Sequence, residues 1–182
     1  MGKILVHEFI TADGVIDDPS WSAGYTFTDA MNETVAGITR RCRAIVFGRV
    51  TYEAFEEPWS TRSSADDPHA SFFNDTPKHI VTSTLSELTW RNSTILGPYD
   101  PDVIRKLKDE AEGDIFISAS GTLVRALLAD GLVDELNLFV YPLTLGQGSR
   151  LFPPDAPPLT MSLKAHQEFG NGVLHLTYQP LT

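Results

Sequence analysis

The fold is decided by one stretch of the chain, Ala44-Ile45-Val46-Phe47-Gly48-Arg49-Val50-Thr51-Tyr52-Glu53. Its first four residues are apolar and predict a short buried strand, and residues 50–56 predict a helix. Where a strand runs into a helix, a glycine lets a ligand approach the backbone, and the first helical turn offers free N–H groups to an anion. Gly48, Arg49 and Thr51 are therefore candidates for holding a phosphorylated cofactor. The alternative is an ordinary strand–helix junction with a solvated arginine.

Length and composition predict one globular domain. The chain has 182 residues, of which 42% are hydrophobic and 21% charged. Its 24 acidic and 14 basic residues give a net charge of −10, which argues against non-specific nucleic-acid binding because such binding requires a basic face. The apolar segment at residues 4–6 is too short and its surroundings too polar for a signal peptide, and no apolar run could span a bilayer, so we expect a cytoplasmic protein without a membrane partner.

Neither a disulfide nor a metal site is expected. Cys42 is the only cysteine, and the five histidines have no mutual metal-ligand spacing. Arg41 and Arg43 flank Cys42, so its pKa could be lowered, although a lone cysteine before a buried strand is more often packing.

Strands alternate with helices up to about residue 129, and strands dominate after it. Predicted strands cover residues 3–10, 44–47, 79–82, 94–96, 114–118, 133–141, 160–169 and 173–179. Predicted helices cover residues 28–43, 50–56, 100–111 and 123–129, the first with Cys42 on its apolar face, and residues 58–68 are expected to form a loop. The pattern is typical of an α/β protein whose mixed central sheet is mostly parallel and ends in an antiparallel C-terminal hairpin.

Residues 17–27 predict a long loop with aromatic anchors, of the kind that often covers a binding site. Trp21 and Tyr25 are candidates for stacking on a substrate ring, and packing of the loop is the alternative for both. Asp13, next to Gly14, is a candidate substrate contact beside the cofactor or the residue that closes an Asx turn.

Four segments, taken together, resemble a known family. They are residues 11–16 (TADGVI), 47–53 (FGRVTYE), 117–124 (ISASGTLV) and 131–152, the last containing GLVDEL and PLTLGQGSRLF. They resemble the dihydrofolate reductase-like fold, and more closely the reductase domain at the C-terminus of bacterial riboflavin-biosynthesis proteins with its stand-alone relatives. The resemblance spans nearly the whole chain and implies a single domain, residues 1–182, of three α/β/α layers.

The resemblance implies hydride transfer from NADPH. It implies that backbone groups of Phe9 and Ile16 meet the nicotinamide amide, and that Ser83 and Thr84 meet the adenosine ribose and its 2′-phosphate. It places the phosphates against two further sets, Gly48, Arg49, Val50 and Thr51, and Ser118, Ala119, Ser120, Gly121, Thr122 and Leu123. These sets also share a chemical reason, because small or hydroxyl residues after three strand ends form one phosphate-binding edge.

Two departures from folate reductases bear on the substrate. Ala119-Ser120 stands where those enzymes have a glycine pair, so the backbone is expected to approach the cofactor less closely. Asn32 stands where they carry the pterin-binding carboxylate, and an amide cannot act as that acid. Asn32 is kept as a substrate contact, and Asp29 or Glu33, or an ordered water, as the proton source; stabilisation of the helix dipole is the alternative for both acids.

The favoured function is reduction of a small heterocyclic, pyrimidine- or pterin-like, or carbonyl substrate, resembling 5-amino-6-(5-phosphoribosylamino)uracil reductase. The alternatives are a non-catalytic dimeric ligand-binding protein on the same fold and a dihydrofolate reductase. The family resemblance also implies a homodimer, with the apolar strand at residues 136–141 near the interface.

Overall fold

A computed structural model describes residues 1–181, which form eight strands, five α-helices and one short 3-10 helix. The strands are β1 (Ile4–Thr11), β2 (Cys42–Gly48), β3 (Lys78–Val81), β4 (Ser93–Gly97), β5 (Asp114–Ser118), β6 (Glu135–Tyr141), β7 (Met161–Glu168) and β8 (Leu174–Pro180). The helices are α1 (Asp29–Thr39), α2 (Arg49–Ser60), α3 (Ala70–Asp75), α4 (Pro101–Glu110) and α5 (Gly121–Ala129), and the 3-10 helix covers Pro19–Gly24.

All eight strands join in one sheet, in the order β4-β3-β2-β5-β1-β6-β8-β7. The first six of these pair in parallel, while β8 pairs antiparallel to both β6 and β7. This confirms the predicted α/β class, with its mostly parallel sheet and antiparallel C-terminal hairpin. Because the strands from β4 to β6 run the same way, their carboxyl ends meet at one edge of the sheet.

Each face of the sheet carries its own core. One face packs against α4 and α5, through residues such as Ile104, Leu123 and Leu127. The opposite face packs against α1, α2 and α3 and is rich in aromatic rings, among them Phe47 and Phe116. The three layers α/β/α are therefore present.

Two of the helices begin with a side-chain cap, as their sequences indicate. The hydroxyl of Thr28 accepts the N–H of Met31 at the start of α1, and the carboxylate of Asp100 accepts the N–H of Asp102 at the start of α4. Such caps satisfy N–H groups that a helix otherwise leaves without partners.

Two local predictions are wrong, the C-terminal end of the first helix and the start of the loop expected at residues 58–68. Helix α1 ends at Thr39, and Cys42 begins β2 because the apolar run that pairs with β5 starts there. Burial raises the pKa of the Cys42 thiol to about 12, so the neighbouring arginines do not activate it. Helix α2 continues to Ser60 with Pro58 in its last turn, and so takes up the start of the expected loop.

Strand β6 does not form a surface. It lies between β1 and β8, and Leu136 and Phe139 are both fully buried. The apolar side chains of residues 136–141 belong to the chain's own core, so they give no ground for placing a subunit interface there.

Candidate active site

The segments predicted to hold a cofactor lie side by side at the carboxyl edge of the sheet. Strands β3, β2, β5 and β1 are consecutive neighbours there. The outer two of these four strands are about 14 Å apart, because neighbouring strands are spaced by about 4.8 Å. The edge can therefore take an extended ligand that crosses four strand ends in succession.

Two helices begin at the middle of this edge without a side-chain cap. Gly48 is the N-cap of α2 and Ser120 the N-cap of α5, and neither makes a side-chain capping hydrogen bond. This contrasts with the capped starts of α1 and α4. The first-turn N–H groups of α2 and α5 are thus left for a ligand, and the helix dipoles favour an anionic one.

The side chain of Ser120 joins the two helix starts. Its Oγ accepts a hydrogen bond of 2.9 Å from the N–H of Gly48 and donates one of 2.6 Å to Oγ1 of Thr51. Thr51 is buried, so its hydroxyl faces Ser120 rather than an incoming phosphate. Ser120 therefore fixes the spacing of the two helix starts, a role that was not predicted.

The backbone before α5 is strained. Ala119 and Ser120 have φ angles of 51° and 65°, a left-handed conformation that glycine adopts most easily. Each such non-glycine residue costs about 1–2 kcal/mol. The chain thus adopts at these two positions a conformation that a glycine pair would favour, and strain of this kind clusters at functional sites.

Charged and hydroxyl side chains extend the edge outward. Arg49 is half-exposed and pairs with Glu53 at 2.7 Å, a solvent-facing ion pair of little stability that a phosphate can replace. Beyond β3, Oγ1 of Thr82 accepts the N–H groups of Thr84 and Leu85. This turn leaves Ser83 and Thr84 exposed beside the Gly48–Thr51 segment.

Next to β5 the sheet opens into a notch, which we define by Phe9, Ile16 and Gly121. Pairing of β1 with β5 ends at His7 and Ser118. Because the carbonyls of Lys3 and His7 face β5, the N–H and C=O of Phe9 point the same way, past the end of that pairing. Ile16 reaches across to α5, where its Cδ1 lies 2.5 Å from the position that a Cβ on Gly121 would occupy. The glycine thus permits this close approach.

On the opposite face of the sheet, His7, which was not predicted as a site residue, forms a nearly buried polar pair with Ser118, whose hydroxyl thus faces His7 rather than the predicted phosphates. Nδ1 of His7 lies 3.2 Å from Oγ of Ser118, while the buried Nε2 of His7 has no partner among the described residues. The ring packs against Phe9, Phe116 and Phe139. Burial, and then His175, lowers the pKa of His7 to about 3, so the imidazole is neutral at pH 7. The only sequence signal was a polar residue near a strand end.

A groove of about 750 Å³ lies between α1 and α3 and contains Asn32. The Oδ1 of Asn32 lies 3.3 Å from Nε2 of His69, which leaves the amide N–H groups of Asn32 for a ligand. Asp29 and Glu33 also line the groove, and both are exposed. Glu33 pairs with Arg40 at 2.7 Å along the same helix. Of the two candidate acids, Asp29 is therefore the one that forms no ion pair with any residue from 1 to 181.

Asp13 is an anchor between two loops. Its carboxylate accepts the hydroxyl of Thr11 at 2.6 Å and the N–H groups of Leu145 and Gly146 at 3.2 and 2.8 Å. The Thr11 hydroxyl, followed by the N–H of Gly146, lowers the pKa of Asp13 to about 2. The structure thus supports a structural role for Asp13, since its carboxylate is taken up by its own chain.

Trp21 and Tyr25 both make T-shaped contacts with Tyr141, with ring centroids 5.3 Å away in each case. Nε1 of Trp21 donates to the carbonyl of Asp17, and the hydroxyl of Tyr25 lies 3.4 Å from the carbonyl of Pro142. These contacts support the loop-anchor reading of both residues.

Within residues 1–181, no cluster of three or more His, Cys, Asp or Glu side chains has the geometry of a metal site. In the same part of the chain no helix is long and apolar enough to cross a membrane.

Comparison with known proteins gives one family and several structural neighbours. The model of the RibD C-terminal domain matches residues 2–175. The uncharacterized protein YyaP of Bacillus subtilis is 22% identical over 189 residues, covering 97% of this chain and 94% of YyaP. A putative riboflavin biosynthesis protein from Shewanella sp. PV-4 superimposes with a TM-score of 0.80 at 18% identity, with both chains fully covered. A dihydrofolate reductase from Enterococcus faecalis, solved with NADP(H), superimposes with a TM-score of 0.63 at 16% identity, covering 100% of this chain and 98% of that one. The fold is therefore dihydrofolate reductase-like.

Proposed function

The chain belongs to the RibD C-terminal domain family, and on that premise we propose that it is an NADPH-dependent reductase of a small heterocyclic substrate. The observation that carries the proposal is the pair of uncapped helix starts, α2 and α5, joined by Ser120 at the carboxyl edge of the sheet. Two adjacent anion-binding helix ends suit a pyrophosphate, which carries charge on two linked groups.

NADPH, when bound, supplies the hydride from its nicotinamide ring. The first turns of α2 and α5 hold its pyrophosphate, with Arg49 as an additional donor. Ser83 and Thr84 bind the adenosine ribose with its 2′-phosphate, and the backbone of Phe9 and Ile16 orients the carboxamide in the notch. Such positioning supplies much of the rate of a hydride transfer, which needs no protein nucleophile.

The polar groups around the groove fit a neutral pyrimidine better than a pterin. Asn32 presents its amide N–H groups to this groove. A uracil-type ring carries carbonyl and N–H groups that match such neutral partners, whereas a pterin ring is held by a carboxylate in the folate reductases that this chain resembles. We therefore favour a substrate like 5-amino-6-(5-phosphoribosylamino)uracil over dihydrofolate. Asp29 is the proposed proton donor, with Glu33 second because of its ion pair with Arg40.

The test is a fluorescence titration with NADPH and NADH, followed by turnover with a panel of pyrimidine, pterin and carbonyl substrates. We expect NADPH to bind and Arg49→Ala to weaken it about tenfold or more, since a charge-assisted hydrogen bond is worth about 1.5–3 kcal/mol. Arg105→Ala is the matched control, because Arg105 is an exposed arginine on α4 with a comparable ion pair to Asp102. Absence of NADPH binding, or equal effects of the two variants, would refute the cofactor site.

The alternative function, a non-catalytic ligand-binding protein, predicts a different result. NADPH would then bind, but no substrate of the panel would oxidise it. Stereospecific hydride transfer to any one of them eliminates this alternative, and preferential reduction of dihydrofolate would identify a folate reductase instead.

A homodimer is also part of the proposal. Leu163 on β7 and Leu174 on β8 are 48% and 41% exposed, and they give the outer strand pair an apolar surface suited to a second copy. Sedimentation velocity should show a dimer that Leu163→Lys with Leu174→Lys dissociates, while Leu181→Lys, at another exposed leucine, leaves it intact. A monomeric wild-type protein would contradict this.

A further inference from the structure

A buried carboxyl group, that of Glu8, lies in β1 without a partner. Its side chain is 2% exposed, and Oε1 accepts no hydrogen bond from the described residues. Residues 1–181 also place no cation within ion-pair distance of it. An unpaired buried carboxylate is costly, so the fold keeps this residue against a clear energetic preference.

Glu8 lies on the α5 face of the sheet, beneath the notch. Its neighbours Val6 and Ile10 on the same face of β1 belong to the core that includes Leu123 and Val124 of α5. Glu8 also directly precedes Phe9, whose free backbone groups line the notch. A ring held between Phe9, Ile16 and the start of α5 would lie over the Glu8 side chain.

The charged groups around Glu8 do not neutralise it. Arg125 is the charged residue that α5 directs to this side, but its guanidinium donates to the carbonyl of Arg150 at 2.9 Å and to Oγ1 of Thr122 at 3.2 Å. Arg150, from the loop after β6, donates to the carbonyl of Asp13 and lies 3.4 Å from its carboxylate. The neighbours of Glu8 on β6 are apolar, as Leu138 is its register partner. Arg125, the arginine that acts on Glu8, and Arg150 beside it therefore both have other acceptors already.

Burial raises the pKa of Glu8 to about 8, and Arg125 offsets only part of this effect. At pH 7 the group is mostly protonated and neutral. A positive charge placed next to it would favour the ionised form and lower its pKa.

We infer that Glu8 is a positioning residue that distinguishes the two redox states of the cofactor, binding the oxidised, positively charged nicotinamide ring more tightly than the neutral reduced ring. This rests on the proposed function, since it requires the ring to occupy the notch. When the oxidised cofactor binds, the O–H bond of the Glu8 carboxyl breaks, the proton passes to solvent, and the carboxylate faces the cationic ring. Preferential stabilisation of the oxidised ring favours hydride donation, because donation creates that charge.

The experiment is isothermal titration calorimetry of the wild-type protein with NADP⁺ and with NADPH, at pH 7 in buffers of different ionisation enthalpy. A group with a pKa near 8 is protonated in about nine molecules of ten at pH 7. A shift of one pKa unit, from about 8 to about 7, should release about 0.4 proton when NADP⁺ binds at pH 7, and we expect binding of NADPH to release far less. In Glu8→Gln, which keeps the shape of the side chain but cannot ionise, the difference should disappear. At pH 8.5 the ratio of the dissociation constants for NADP⁺ and NADPH should rise about tenfold in this variant, which corresponds to one pKa unit.

Glu112 is an exposed carboxylate before β5, so Glu112→Gln is the control for loss of one negative charge. Its proton release on binding NADP⁺ and NADPH should equal that of the wild-type protein. Glu8→Asp keeps a carboxyl group and should restore part of the proton release, which a purely structural role of Glu8 would not produce. Equal proton release with both cofactor forms, or unchanged release in Glu8→Gln, overturns the inference while the cofactor site stands. If neither NADP⁺ nor NADPH binds the wild-type protein, the proposed function fails and the inference fails with it.

Discussion

Removing the Ser120 hydroxyl should lower both the free energy of unfolding and the affinity for NADPH. Ser120→Ala removes the acceptor of the Gly48 N–H and the donor to Thr51, two hydrogen bonds of 2.9 and 2.6 Å. The left-handed φ of 65° remains, so the strain is the same before and after the change. At about 0.5–1.5 kcal/mol for each hydrogen bond, the loss should be about 2 kcal/mol. For a chain of this size that corresponds to a decrease in Tm of about 4–8 °C.

The same change should weaken NADPH binding about fivefold to tenfold, because the starts of α2 and α5 would no longer be held at a fixed separation. The assay is a fluorescence titration at a temperature well below both Tm values. Arg41→Ala is the matched control: its ion pairs with Asp114 and Glu135, at 3.0 and 3.2 Å, lie at the amino ends of the strands, so it should lower Tm without changing the affinity. A lower Tm with unchanged affinity would reduce Ser120 to a structural role. Tighter binding would show that its hydroxyl competes with phosphate for the Gly48 N–H, and would refute the reasoning.

Two further predictions concern buried titratable groups. The pKa of His7 is lowered to about 3, so the unfolded chain takes up a proton below pH 6.5 that the folded protein does not, and stability is lost as the pH falls from 6.5 towards 3. At pH 4 the loss in the free energy of unfolding amounts to at most about 3 kcal/mol. When the free energy is measured by urea unfolding at a series of pH values, His7→Leu should remove its decrease between pH 6.5 and 4. An unchanged pH dependence in the variant would contradict the prediction. Lys78 is fully buried, and its ammonium donates to the carbonyls of Phe73 and Thr76. Burial lowers the pKa of Lys78 to about 8, so the free energy of unfolding should rise as the pH increases from 8 to about 10.5. Lys78→Met should abolish that rise, and it should cost about 2 kcal/mol at pH 7 because the carbonyls lose their donor. A rise that persists in the variant would show that another group causes it.

The fold could be predicted because local signals agreed with one another. The apolar run at residues 115–117, inside the strand Asp114–Ser118, is too short for a helix, and the alternation of strands and helices indicates a parallel sheet. Helix α3 was missed because its six residues follow a polar stretch and show little helical periodicity. Helix α1 was extended too far because Cys42 fits both the helical spacing and the start of the strand.

Of the candidate site, the sequence could predict only the residues that directly follow a strand. Gly48, Arg49 and Ser120 each follow a predicted strand, so the shared edge followed from the fold class. The hydrogen bonds of Ser120 join residues that are 69 and 72 positions apart, which no local pattern indicates. His7 and Glu8 were visible as polar residues in a strand, but their burial depends on β1 lying between β5 and β6.

A crystal structure with NADP⁺ bound tests the central claim most directly. The pyrophosphate oxygens should lie within hydrogen-bond distance of the N–H groups of Arg49 and Val50 on α2 and of Gly121 and Thr122 on α5. The nicotinamide should occupy the notch formed by Phe9, Ile16 and Gly121. A cofactor bound in the groove between α1 and α3, with those N–H groups left to water, would contradict the account.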